Sequence, residues 1–225
     1  CGQILDVQGR HVMTCARHTV MQRHNRIRDH IAQYCRGIGY IARTEQVYAP
    51  PLDSQGVPAP GAGHVADIHL IDPRGKSMWL DVRVTASKPG LDVGPELARA
   101  EVTKAREYGQ TVTDSLWDGV LPLIVEEMGR PAPWLRAFGN YITRQHAEYL
   151  IAQGKSKHCA FVEAWAAFWT PISCILQEAA QRALTECGAQ GPCTFFPSES
   201  PVQDRSDSSQ SPFHIQDVER AWTEE

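Results

Sequence analysis

Two short apolar runs, VADIHLI at 65–71 and SMWLDVRVT at 77–85, are joined by the turn DPRGK, and each carries an aspartate in its interior. Asp72, Pro73 and Gly75 are turn formers, and the runs are rich in β-branched and aromatic residues, so this segment reads as a β-hairpin. Asp67 lies between Ala66 and Ile68, and Asp81 between Leu80 and Val82, with thirteen residues separating the two acids. An acid inside an apolar strand is costly unless something neutralises it. Two acids meeting across a hairpin repel, and a divalent cation removes that repulsion. Strand alternation also allows both to sit on a solvated face, so the pair alone does not decide between metal site and surface.

The flanking sequence extends the pattern. Val20, His24, Ile27, Ile31, Tyr34 and Ile38 recur at spacings of three and four, which predicts a helix over 17–38 ended by Gly37 and Gly39. Tyr40 to Tyr48 reads as a strand, and 49–63 as a Pro/Gly loop. Residues 95–109 read as a helix with Pro95 in its first turn and Gly109 at its end, and VLPLIVE at 120–126 as a buried strand. From 131 to 187 the pattern is helical, broken near Gly154 and near Pro171. The order helix, strand, hairpin, helix, strand implies an α/β domain with a mixed sheet over 17–130, followed by a C-terminal helical extension over 131–187. The Ser-, Gln-, Pro- and acid-rich stretch 188–225 is expected to be a disordered tail.

Composition narrows the class. The chain has 225 residues, enough for one ordinary domain with extras. It has no run of 18 or more apolar residues, so no membrane span is expected. It opens on Cys1 without a signal peptide, which reads as a piece of a longer protein. Seven cysteines are an odd number, with spacing unlike a small disulfide scaffold. Cys1, His11 and Cys15 have zinc-ligand chemistry, with His18 a candidate fourth ligand, and define a partial zinc-knuckle segment at 1–16. Cys35, Cys159 and Cys174 read as thiols on helices.

The net charge of −4 does not announce a nucleic-acid binder, but its distribution is uneven. Arginine dominates residues 1–45, and acids dominate the last thirty. Arg23, His24, Arg26 and Arg28 on the first helix, with Arg83 after Asp81, are the candidate phosphate-contacting residues. The same arginines also suit a solvated helix face. Glu126 ends the fourth strand and is a candidate outer ligand for Mg²⁺. Lys104 and Tyr108 lie four apart on the helix between, sharing a face with Leu97 and Glu101. A lysine beside a metal site can orient the attacking water or steady a phosphate's developing charge.

The string AD-x13-D followed by K-x3-Y resembles the PD-(D/E)xK nuclease superfamily, the restriction-endonuclease-like fold. More narrowly it resembles the restriction-like endonuclease domain at the C-terminus of non-LTR retrotransposon proteins, next to a reverse transcriptase. The segment CGQILDVQGRHVMTC, Arg23-His24-Asn25, RTEQ at 43–46 and TPISCILQEAAQRAL at 170–184 follow that family's order. The resemblance implies a DNA endonuclease with Asp67 and Asp81 on Mg²⁺ or Mn²⁺, Lys104 and Tyr108 as further catalytic residues, and Glu45 as an additional acid on the metal side. It also implies a zinc knuckle, DNA and element RNA as partners, an upstream reverse transcriptase domain that this chain lacks, and a nuclear location. Two positions depart from the pattern: Ala66 replaces the proline before the first acid, and Arg83 stands where the superfamily often has lysine. A non-catalytic nucleic-acid-binding module and a resolvase- or repair-type nuclease are the alternatives.

Overall fold

The computed structural model describes residues 20–48, 55–56, 63–86, 93–108 and 119–188. The first helix, α1 (Val20–Gly37), leads into β1 (Ile41–Val47). The hairpin strands are β2 (Val65–Ile71) and β3 (Ser77–Thr85), whose tight turn needs the left-handed Gly75, φ 85°. Helix α2 (Val93–Glu107) carries the chain to β4 (Val120–Glu126). Two long helices follow, α3 (Pro133–Ala152) and α4 (Lys157–Gly188).

The strands form one mixed sheet in the order β1-β2-β3-β4. The pairs β1/β2 and β2/β3 are antiparallel, and β3/β4 is parallel. A parallel neighbour requires a crossover, and α2 provides it. The fold is therefore α/β with a mixed sheet, as the periodicity predicts.

Burial explains the layers. Ile27, Ile31 and Cys35 of α1, Phe138 and Ile142 of α3, and Phe168 and Ile172 of α4 pack against Ile68, Leu70, Leu80, Leu121 and Leu123 of the sheet. Each such fully buried large side chain contributes about 1.5–3 kcal/mol relative to exposure. Leu97 of α2 and Ala132 cover Ile124 from elsewhere, so β4 is buried along its whole length. That double covering is why VLPLIVE lacks alternation. Helices α3 and α4 belong to the same core as the sheet.

One boundary differs from the sequence reading. Pro171 does not end a helix but lies inside α4. Proline removes one backbone hydrogen bond and crowds the preceding turn. Helix α1 braces this region: His30 Nε2 lies 2.9 Å from the Phe168 carbonyl oxygen, and the Tyr34 hydroxyl lies 3.0 Å from that of Ala164. Lys157–Arg182 is also long and apolar enough, by length and composition, to cross a bilayer. It is not one continuous apolar run, so a count of uninterrupted apolar residues passes over it. Here its stripe of Ala160, Ala164, Phe168, Ile172 and Ile175 is buried. The zinc-knuckle segment 1–16 with Cys1, His11 and Cys15, His18, and the tail beyond Gly188 lie outside the described residues.

Candidate active site

The hairpin register brings the two aspartates together. Ile68 pairs with Leu80, so the next facing positions along the strands are Asp67 and Asp81. The regular ladder stops there. Instead, the Val82 backbone N–H donates to Asp67 Oδ2 at 2.7 Å, so a side-chain carboxylate takes the place of a main-chain carbonyl. The second oxygen, Oδ1, lies 3.1 Å from His24 Nε2 on α1. That hydrogen bond raises the His24 pKa against the opposing effect of burial, and the charges of Asp67 and Asp81 add to the rise.

Asp81 is 95% buried, with relative exposure of 5%. The Tyr108 hydroxyl donates to its Oδ1 at 2.8 Å. Lys104 Nζ lies 3.1 Å from Oδ2, an ion-pair contact. That ion pair aside, Oδ2 has no hydrogen bond of regular geometry among the described residues. Burial and the neighbouring Asp67 charge raise the Asp81 pKa, while Lys104 and Tyr108 oppose them. Burial pulls Lys104 down, but its 2.8 Å hydrogen bond to Glu107 and the charge of Asp81 outweigh this and raise it. Burial and Asp81 together raise Tyr108. At neutral pH this leaves a cationic lysine and a neutral phenol on one carboxylate.

Four sequence candidates, Asp67, Asp81, Lys104 and Tyr108, thus converge, and His24 joins them through Asp67. Others do not converge. Glu126 pairs with Thr85, four residues along β4 from Pro122, the partner of Asp81. At strand spacing that is about 13 Å, beyond a shared ion. The register, invisible in a single strand's sequence, sets this separation. Glu45 faces Asp67 in the β1/β2 register, but its backbone is left-handed, φ 54°, and its carboxylate pairs with Arg28.

The first-helix arginines interact within the chain. Arg23 is buried, near the charge of Glu127. Arg26 pairs with Glu178 at 2.8 Å, and Arg28 with Asp29 at 2.8 Å as well as with Glu45. His24 contacts Asp67 rather than open solvent. Arg83 is exposed, as Arg26 is, and lies two residues past Asp81 on β3.

Sequence reasoning gave Glu101 a place on the Lys104 stripe but no role. It is buried, and its carboxylate accepts the Trp134 N–H at 2.7 Å, at the N-terminus of α3. Helix α3 has no side-chain cap of its own, so Glu101 supplies an acceptor to donors that a helix start leaves unpaired. Burial pushes its pKa up to about 8. The signal was an acid at a core position of an amphipathic helix.

Among the described residues no three His, Cys, Asp or Glu side chains come together as a metal-binding group. A closed protein cage is therefore not built there. Two facing carboxylates, one with an oxygen met only by the Lys104 ion pair, fit a different donor set. Mg²⁺ is held by one or two carboxylates with waters and substrate phosphate oxygens completing its shell. No protein-family model matches the sequence, and no curated protein matches it significantly.

Proposed function

We propose that this chain is a metal-dependent phosphodiesterase that nicks DNA, with a restriction-endonuclease-like core. The observation that carries this reading is the convergence of Asp67 and Asp81 from paired strands with Lys104 and Tyr108 from the crossover helix. The order helix, strand, hairpin, helix, strand agrees with what the resemblance implies. Asp67 and Asp81 would hold Mg²⁺ or Mn²⁺, which when bound polarises a phosphate oxygen and lowers the pKa of bound water.

The chain's own residues divide the remaining work. Lys104, kept protonated, is suited to stabilising charge that develops on the phosphate rather than to accepting a proton. Tyr108 donates to Asp81 Oδ1 and leaves Oδ2 to the Lys104 ion pair. His24 and the Val82 amide orient Asp67. Exposed Arg83 is placed to position backbone phosphate. As the resemblance implies, the 3′-hydroxyl left by a nick would prime reverse transcription, with DNA and element RNA as partners.

A second reading has one specific observation in its favour. Asp67 links β2 to β3 through Val82, which a structural acid in a non-catalytic nucleic-acid-binding module would also do. Supercoiled-plasmid nicking with Mg²⁺ or Mn²⁺ separates the two. A nuclease loses nicking in Asp81→Asn and Lys104→Ala while DNA affinity persists. A folded, DNA-binding wild-type chain that never nicks refutes the nuclease reading.

A further inference from the structure

Three side chains at alternate positions of β3, Trp79, Asp81 and Arg83, form a row, because successive residues of a strand point to opposite faces. Trp79 is half-buried, Asp81 is buried and Arg83 is exposed. The neighbouring strand completes the first of these positions. His69 pairs with Trp79 in the register, and their rings stack with centroids 3.9 Å apart and planes within 9°. The Ser77 hydroxyl, 2.7 Å from His69 Nε2, fixes the imidazole. Beyond His69 in the same register stands Arg43 of the edge strand. Trp79 is braced from behind by Tyr48, edge-on at 5.4 Å, which meets Tyr108 at 5.7 Å. Tyr108 in turn holds Asp81. A chain of rings therefore connects the stack to the carboxylate.

We propose that the His69–Trp79 stack seats one unpaired nucleobase beside the cleaved phosphodiester, so that the DNA this site takes is unpaired next to the cut. The proposal rests on the nuclease reading and names its substrate class. Two observations and one general property of aromatic rings support it. The stack lies two residues from the acids along both strands, about 7 Å, within the reach of one extended nucleotide. Aromatic faces accept any base by stacking, without reading its identity. The charge is complementary: Arg83 ends the row, Arg43 lies beside its other end, and both are exposed with no ion-pair partner among the described residues, unlike Arg26 and Arg28.

The test is fluorescence anisotropy in EDTA, with a labelled oligothymidine and a blunt duplex of equal length as probes. The wild-type chain is expected to prefer the single strand. His69→Ala should weaken oligothymidine binding about five- to a hundred-fold, the usual range for loss of one base–aromatic stack. His69→Phe should restore most of that binding, because it keeps a flat ring while losing the imidazole nitrogens. The proposal is overturned if His69→Ala binds oligothymidine as well as wild type, if the phenylalanine variant does not rescue, or if the wild type shows no preference for the single strand. Because metal is absent, these outcomes are independent of cleavage. A chain that binds through His69 yet never nicks refutes the nuclease reading and keeps the seat. A chain that nicks with His69→Ala binding normally refutes only the seat.

Discussion

Alanine at Asp67 should damage the fold as well as any chemistry, and asparagine should separate the two effects. Asp67 Oδ2 accepts the N–H of Val82, which is buried, and Oδ1 meets His24. Asp67→Ala leaves that amide without an acceptor, at a cost of about 1–3 kcal/mol. Losing the half-buried His24 contact adds up to about 1 kcal/mol, kept low because its surroundings are partly solvated. A total of about 1–4 kcal/mol corresponds to a fall in Tm of roughly 2–16 °C for a domain of this size. Asp67→Asn keeps an oxygen for Val82 and should stay within about 1 kcal/mol of wild type. The sign of its pH dependence follows from His24. The folded-state pKa of His24 is raised above 6.5, so its pairing stabilises fully below about pH 6.5 and is lost as pH rises through the folded value. The gap between wild type and Asp67→Asn should therefore be widest in mild acid and close towards alkaline pH. Urea melts followed by circular dichroism, repeated across pH, measure all of this. Equal stability of the alanine and asparagine variants would show that the Val82 bond carries no weight, and the description of Asp67 as a link between strands would fail.

Other perturbations test other parts of the structure. Gly139→Ala should destabilise by about 1–3 kcal/mol, although alanine normally favours a helix interior by about 1 kcal/mol, because its Cβ would sit 2.3 Å from Trp169 Cζ2; a higher Tm would contradict the close α3–α4 contact. Glu101→Gln should stabilise the chain at alkaline pH by up to about 4 kcal/mol. The raised pKa of Glu101, about 8, makes its contribution full at low pH and lost as pH rises through that value; matching urea-melt pH profiles for wild type and variant would refute it. Lys104→Ala should slow nicking about a hundred-fold and move the acidic limb of the rate profile to higher pH, since Lys104 is a cation holding the Asp81 pKa down; an unshifted limb would mean that Asp81 is not the titrating group.

Much of the architecture was legible because periodicity reports which face of a segment is buried. The bounds of β2, β3 and β4 follow directly from the apolar runs at 65–71, 77–85 and 120–126 and the turn at 72–76. The facing of Asp67 and Asp81 is implied once those runs form a hairpin, because hairpin length sets register. Lys104 and Tyr108 share a face by helical spacing alone. Pro171 misled because local propensity favours a break there, whereas the contacts that brace its helix come from His30 and Tyr34, far away in sequence.

The sequence by itself determined which segments pair locally, which side chains are chemically capable, and that two acids meet across a turn. Only the tertiary structure decided which capable side chains come together. Glu126 is set apart by its register with β3, Glu45 is turned to Arg28 by a left-handed backbone, and His24 is brought to Asp67 by the packing of α1 on the sheet. The physical reason is that spacing along a strand or helix fixes a side chain's direction relative to its own element. Its neighbours across elements depend on register and packing, which arise from contacts between residues distant in the chain.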